Sequence, residues 1–438
     1  MPPPGSAKVL LIDDDEDLRF VAKRVLSKAG YRVEDLPSAY DVDARIEAFQ
    51  PDVILCDVLM PGESGLSLCR RLRARAATCD VPIVLVSAKR GGGDRRAAID
   101  AGADRYLVKP VPRDLLLQTV ADVLQTGLRI EVFGCRGSLP RVPDPGEAVS
   151  RFGGHTTCVQ VHVGRRPEVI VLDAGTGLRR LGRGLRRDAP IDAHLFLSHY
   201  HIDHIYGLPF FKPLYGAAHR VTIYGGVDFP RGDGDPMTWA ERKLESTIGG
   251  AFNNTYWPVS MEDVPATVVY RPFYDDSNTV IEVAGIKIEV LKVNHGEVTY
   301  AYKLTDPTAS APATVVYVPD NNISPDRLPP DRVGPFEERL NAFVQGADLL
   351  IHDCMYPQAK YELHDDWGHT GATTLATFCA WAQVPEVMLF HHDVDATDED
   401  IEAVRTEFES ESAKLGSGTR ARLAIEGEIV RVGGASGP

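Results

Sequence analysis

The stretch S-H-Y-H-I-D-H-I-Y-G, residues 198–207, places three histidines and one aspartate within six positions, from His199 to His204. Directly before it stands the apolar run A-H-L-F-L, residues 193–197. A buried strand that ends on four ligand-type side chains constrains the fold strongly. The strand belongs inside a sheet, and the polar groups gather in the loop at its end. A lone histidine on an apolar background is most often a satisfied core residue. Four such groups at H-x-H-x-D-H spacing point instead to metal binding, because imidazole nitrogen and carboxylate oxygen are what borderline ions such as Zn²⁺ take. His199 and His201 alternate and can reach one ion. Asp203 and His204 follow on a tighter turn, where a helix opens near Asp203, and can reach a second.

Other apolar runs end on the same chemistry. V-L-K-V-N-H ends at His295, V-V-Y-V-P-D at Asp320, and V-M-L-F-H-H at His391 and His392. Each alone would read as a cap or turn residue. Together with the first motif they supply a dinuclear site. His391 is the better ligand of its pair because it directly follows the apolar strand residues. Further strand-like runs, among them R-I-E-V-F-G, E-V-I-V-L-D-A-G and D-L-L-I-H-D, alternate with helical stretches over residues 128–438. The mixed pattern predicts two sheets covered by helices.

The first 125 residues read differently. K-V-L-L-I-D, D-V-I-L-C-D, P-I-V-L-V-S-A and R-Y-L-V-K-P are short apolar runs, separated by amphipathic helices such as D-L-R-F-V-A-K-R-V-L-S-K-A-G. This order predicts a parallel sheet with helices on both faces, and a ligand site at the carboxyl ends of its strands. Asp13, Asp14, Asp57, Ser87 and Lys109 stand at those ends. One such aspartate would be an ordinary helix cap; four matching strand ends are not.

With I-D-D-D, C-D-V-L-M-P-G-E-S-G, V-S-A and Y-L-V-K-P at these separations, residues 8–125 resemble a two-component response-regulator receiver domain of flavodoxin-like fold. The resemblance implies that Asp57 accepts a phosphoryl group and that Asp13, Asp14 and Asp57 hold Mg²⁺. It also implies that Ser87 bonds the phosphoryl oxygens, Lys109 pairs with their charge, and Tyr106 is the aromatic switch. A sensor histidine kinase is then an expected partner. The domains are expected at 1–126 and 128–438, joined without a flexible Gly/Ser linker and without a DNA-binding output domain.

The seven-ligand set resembles that of the metallo-β-lactamase superfamily, and the resemblance covers essentially all of 128–438, an αβ/βα sandwich. It implies that His199, His201 and His295 hold one metal and that Asp203, His204 and His391 hold the other. Asp320 would bridge them, and Asp173 in V-L-D-A-G-T-G would be structural rather than a ligand. His201 stands where the oxygen-reducing di-iron branch carries a carboxylate, which favours hydrolysis on two Zn²⁺ or Mn²⁺ over redox chemistry. H-I-D-H-I-Y-G-L-P-F-F, G-C-R-G-S-L-P, F-G-G-H-T-T-C and L-F-H-H-D resemble the phosphodiesterase and transfer-RNA 3′-end endonuclease branch, although His155 stands where Asn is more usual. That branch implies a catalytic role for Asp203 beside the metals. It also implies that His369, in W-G-H-T-G-A, protonates the leaving oxygen and that Asp353, in L-L-I-H-D-C-M, orients it. Aspartate here is one methylene shorter than the family's glutamate.

Charge narrows the substrate. The chain has 47 basic and 62 acidic residues, net −15, and the first 126 residues carry 18 basic and 19 acidic of them. Nearly all of the negative charge therefore falls on the second part, which disfavours a large polyanion. A cyclic nucleotide or similar small phosphodiester is the expected substrate. The alternatives are an RNA 3′-end nuclease, a non-catalytic nucleotide-sensing adaptor, and a lactonase or β-lactamase-type hydrolase. Arg179, Arg180, Arg183, Arg186 and Arg187 read as a solvated helix face. Trp239, Phe252, Tyr256 and Trp257 read mainly as packing residues, with a lid over the substrate, received by the partner of a homodimer, as the other reading. The seven cysteines are odd in number and form no C-x-x-C pair, no run of about 18 apolar residues occurs, and the N-terminus lacks a secretory pattern. These features predict a cytoplasmic protein with no membrane partner.

Overall fold

A computed structural model of the chain describes residues 7–432, except 76–77, 79–80, 89–96, 99–100, 125–126, 144, 147, 165, 186–188, 229–234, 253–256, 275–278, 297, 308–311, 330–331 and 364–366. The chain divides into two compact units, within 1–126 and over 127–433.

In the first unit five parallel strands run in the order β2-β1-β3-β4-β5, namely β1 (Lys8–Ile12), β2 (Arg32–Leu36), β3 (Val53–Asp57), β4 (Ile83–Ser87) and β5 (Arg105–Val108). The central strands β3 and β4 are buried along their whole length, as continuous apolar runs in a doubly covered sheet require. Helices Glu16–Lys28, Val42–Phe49, Gly65–Arg73 and Arg113–Leu124 supply the cover. The first is capped by Asp15, whose side chain accepts from Leu18 N. Leu10, Ile54 and Leu85 pack on one face of the sheet, and Val9, Leu55 and Val84 on the other.

The second unit holds two seven-stranded sheets. One runs in the order β11 (Thr267–Phe273), β10 (Arg220–Gly226), β9 (Asp192–Leu197), β8 (Val169–Leu172), β7 (Cys158–Val163), β6 (Leu128–Gly134) and β19 (Ile429–Val432). The other runs β12 (Val280–Val283), β13 (Ile286–Lys292), β14 (Tyr300–Asp306), β15 (Ala313–Val318), β16 (Leu349–Asp353), β17 (Glu386–Phe390) and β18 (Arg420–Leu423). Ile130, Val161, Phe196, Ile288, Tyr302 and Met388 belong to a continuous core between the two sheets. Helices Gly177–Gly184 and Pro236–Ala251 cover the first sheet with a second cluster. Helices Pro335–Val344, Ala372–Ala382 and Asp398–Lys414 cover the other with a third. The result is a four-layer sandwich, helix–sheet–sheet–helix. No helix among the described residues is long and apolar enough to cross a membrane.

Several strands end earlier than the sequence predicts. β9 stops at Leu197 rather than His199, and β13 at Lys292 rather than His295. The reason at β9 is local: Ser198 N donates to the Asp173 carboxylate at 2.7 Å. Ligand segments thus leave the strands two or three residues early and turn toward one another. In the stretch after Tyr224, Pro236–Ala251 is a helix, Phe252 is buried in the outer core, and Trp239 and Trp257 pack against the same cluster. These aromatics pack rather than form a lid; Tyr256 lies outside the described residues. Arg179, Arg180 and Arg183 lie on the helix Gly177–Gly184, exposed as predicted, and Arg186 and Arg187 lie outside the described residues.

Candidate metal centre

Five strand ends converge on one buried cluster. His199, His201 and Asp203 follow β9, and His204 sits in the short helix Ile202–Ile205. His295 lies in the turn after β13 and Asp320 two residues beyond β15. Asp353 ends β16, and His391 follows β17 with a backbone φ of +61°. That left-handed backbone swings the His391 ring back toward the cluster. Gly137 lets it: a β-carbon there would lie 2.4 Å from the ring.

Two four-residue ligand groups result, and a third group, Asp353, His369 and His391, adjoins them. One nitrogen or oxygen from each of His199, His201, His295 and Asp320 lie within 4.8 Å of one another, and so do those from Asp203, His204, Asp320 and His391. Asp320 is shared. One of its oxygens lies 3.2 Å from both His204 Nε2 and His391 Nε2. The other lies 3.5 Å from His295 Nε2 and 3.7 Å from His199 Nε2. Asp203 Oδ2 lies 3.2 Å from His391 Nε2 and accepts from Ser138 N at 2.8 Å.

The electrostatics fit cations. His199 Nε2, His204 Nε2 and Asp320 Oδ1 are buried and make no hydrogen bond. Unpartnered polar atoms of this kind are costly unless something binds them. Burial opposes the charge on Asp203 and Asp320, yet the histidines around them hold both carboxyls below the ordinary range. Burial also drives the His199 and His201 rings toward neutrality, the form that ligates. Burial opposes a charged His204 as well, but Asp320, Asp203 and Asp173 push its pKa well above the usual value. Three carboxylates around one imidazole leave an excess of negative charge that two divalent ions would match. The donor set of nitrogen and carboxylate oxygen suits Zn²⁺ or Mn²⁺.

Neighbouring groups fix the candidate ligands. Asp173, itself at φ +58°, accepts His204 Nδ1–H at 2.8 Å, Ser198 Oγ at 2.8 Å and Tyr317 OH at 2.7 Å through Oδ2. It is therefore a support rather than a ligand, and leaves His204 Nε2 to face the cluster. His392 bonds Ala424 O through Nε2 at 2.9 Å, which removes it from the ligand set. Arg136, fully buried, donates to the carbonyls of Gly153, Asp393 and Ala396 and holds the chain that follows His391. His155 lies outside both groups, with Nδ1 3.2 Å from Thr176 Oγ1.

His369 and Asp353 stand beside the ligands. Nδ1 of His369 donates to Asp353 Oδ2 at 2.8 Å, and its ring stacks on His391 with centroids 5.1 Å apart. Burial opposes protonation, but the Asp353 carboxylate overrides it and pushes the pKa up to about 9. The shorter aspartate thus still reaches its histidine. Sequence reasoning missed the roles of Ser138 N and Arg136, a backbone group and a buried side chain; the S-L-P after Gly137 is a visible signal for the first.

In the first unit Asp13, Asp14 and Asp57 also bring one oxygen each within 4.8 Å. Lys109 Nζ lies 2.8 Å from Asp13 and 3.2 Å from Asp57. Burial raises the Asp57 pKa, and Lys109 counters it. Ser87 is fully buried at the end of β4, and Tyr106 lies half-buried in β5.

Residues 9–121 match the response regulator receiver domain, and residues 168–392, more than half of the chain, match the beta-lactamase superfamily domain. The phosphate regulon transcriptional regulatory protein PhoB of Pseudomonas aeruginosa is 34% identical over 120 residues, 27% of this chain and 52% of that protein. The chain spans about half the length of the curated relatives it matches. Among solved structures, unliganded yeast PDE1 is similar with a TM-score of 0.51 and 14% identity, over 70% of this chain and 99% of that one. The metallo-beta-lactamase fold protein YhfI from Bacillus subtilis is similar with a TM-score of 0.45 and 20% identity, over 70% and 99%. The two compact units thus carry different family signatures, and the chain belongs to the beta-lactamase superfamily, with a response regulator receiver domain preceding that fold.

Proposed function

We propose that the second unit is a dinuclear-metal phosphodiesterase acting on a cyclic nucleotide or a similarly small phosphodiester, with its rate set by phosphorylation of Asp57. The observation that carries this reading is the His369–Asp353 pair set against the two ligand groups. Hydrolysis of a phosphodiester breaks a phosphorus–oxygen bond, and the departing alkoxide needs a proton. His369 holds one on the ring it turns toward His391, and Asp353 fixes the opposite nitrogen. Asp173 fixes the tautomer of His204, and Ser138 N holds one oxygen of Asp203, which lies between His204 and His391 at the reacting edge. Two Zn²⁺ or Mn²⁺ ions in the paired ligand groups would supply Lewis-acid stabilisation and water activation.

The test is a substrate panel with Zn²⁺- and Mn²⁺-loaded protein: 3′,5′- and 2′,3′-cyclic nucleotides, bis-p-nitrophenyl phosphate and a precursor transfer RNA, against a His201→Ala control. Cleavage of cyclic mononucleotides, lost in the control, is the expected result. Cleavage of the RNA alone would replace this reading with that of a nuclease, and no cleavage at all would overturn it. Control by the receiver rests on the match of Asp13, Asp57, Ser87 and Lys109 to phosphoacceptor chemistry. It also rests on the three residues between the helix ending at Leu124 and β6 at Leu128. Beryllofluoride, a phosphoryl mimic, is expected to change turnover, and an equal response from Asp57→Asn would remove the proposal. With Asp57 phosphorylated, a sensor kinase is the donor; Mg²⁺ would sit among Asp13, Asp14 and Asp57.

A further inference from the structure

The proton donor is built into the shell that supports the metal ligands. His295 faces the cluster through Nε2, so its Nδ1 carries the hydrogen, which it donates to Gly368 O at 2.9 Å. Gly368 adopts φ +84°, and a β-carbon there would meet His295 Nδ1 at 2.5 Å. The residue before His369 is thus seated directly on a ligand. The residue after it is seated on another ligand segment. Thr370, fully buried, donates its hydroxyl to Asn321 O at 2.5 Å and accepts from Ile323 N at 3.2 Å. Asn321 directly follows Asp320, the shared carboxylate.

Asn321 closes the circuit. Its Oδ1 accepts from Asn294 N at 3.1 Å, beside His295, and its own N lies 3.4 Å from Asp353 Oδ2. Its Nδ2 donates to His352 Nε2 at 3.3 Å, and His352 Nδ1 donates to Asp353 O at 2.7 Å. Asn321, His352 and Asp353 are fully buried, where a lost partner costs more than the bond itself contributed.

We propose that Thr370 and Gly368 are positioning residues that couple the seat of His369 to metal binding at the His295 side of the cluster. Coupling of this kind is reciprocal: what moves the donor loop weakens the metal, and what empties the metal subsite loosens the donor. The proposal rests on the phosphodiesterase reading for its kinetic consequence but not for its metal-binding consequence.

The test is Thr370→Val in the full-length protein, which keeps the shape and removes the hydroxyl, with Thr370→Ser as the conservative control. Chelator competition for Zn²⁺, without substrate, is expected to show the affinity of one of two equivalents falling about tenfold in Thr370→Val. Thr370→Ser is expected to stay close to the native protein. Turnover of a cyclic nucleotide, whose alkoxide leaving group needs a proton, is expected to fall about a hundredfold. Turnover of bis-p-nitrophenyl phosphate, whose phenolate leaves unaided, is expected to change far less. Unchanged Zn²⁺ affinity, an equal loss on both substrates, or no advantage of Ser over Val would overturn the proposal. If the native protein hydrolyses neither substrate, the phosphodiesterase reading fails and the Zn²⁺ competition alone decides the coupling. Should Thr370→Val not fold, Gly368→Ala, whose added methyl meets His295 Nδ1, serves the same measurements.

Discussion

Both units gather carboxylates at the ends of parallel strands, yet they balance the charge differently. In the receiver, Lys109 stands between Asp13 and Asp57 and supplies a fixed cation from the chain itself. In the second unit, Asp203, Asp320 and Asp353 form ion pairs only with histidines, among the described residues. Imidazole can give up its charge, so compensation there depends on protons or on bound ions. The oxygen-only receiver cluster suits Mg²⁺, whereas the nitrogen-rich cluster suits a borderline ion.

The comparison breaks most sharply at Asp320. Asp320→Ala removes the oxygens shared by both ligand groups, and elemental analysis should find at most one ion where the native protein holds two. Several kcal/mol of transition-state stabilisation go with the lost ion, so hydrolysis should fall on the order of a thousandfold or more. Retention of two ions would show that Asp320 does not bridge.

Asp353→Asn should cost about a hundredfold on alkoxide leaving groups and much less on nitrophenolate. A uniform loss would remove His369 from its role as proton donor.

Chelation should separate the two units in a calorimeter. Ions present at a hundred times their dissociation constant stabilise a fold by about 2.7 kcal/mol, so stripping them should lower the melting of the second unit clearly. The receiver should respond weakly, because Lys109 already neutralises part of its cluster. Lys109→Met should make the receiver transition depend on Mg²⁺; no such dependence would undo the contrast.

The smallest effect is a titration. In metal-free protein, imidazole NMR should place the His369 midpoint near the raised value of about 9, and Asp353→Asn should return it toward the ordinary 6.5. A folded pKa above the unfolded one means the pair stabilises the protein fully below about pH 6.5 and loses that contribution as pH rises through 9. A midpoint below 6.5 would mean that burial outweighs Asp353.

Much of this was legible in the sequence because ligands and strand ends coincide. H-x-H-x-D-H after A-H-L-F-L, and D-V-I-L-C-D before M-P-G, each couple a burial pattern to a chemistry. What the sequence hides is of two kinds. Backbone groups such as Ser138 N and Gly368 O carry no residue signature, so their roles emerge only from the turn that aims them. Distant partners are the other kind: β19 (Ile429–Val432) pairs antiparallel with β6, about three hundred residues earlier, and nothing local in I-V-R-V announces it. The aromatics Trp239 and Phe252 show the same limit: their types favour a core but also fit a lid, and the packing places them in the core.

The carboxylate of Asp173 has a consequence for how the molecule comes to exist. It collects Ser198 from the end of β9 and Tyr317 from β15, so it stitches the end of a central strand of one sheet to a strand of the other. Tyr302 OH adds a second stitch to Leu197 O at 2.5 Å. These partners lie 144 and 105 residues apart along the chain. A ribosome must therefore release most of the second unit before Asp173 can gather all of its partners. Nascent halves should capture metal poorly, and a tightly held ion becomes a certificate of correct assembly: a chain that has mispaired its sheets has nowhere to keep one.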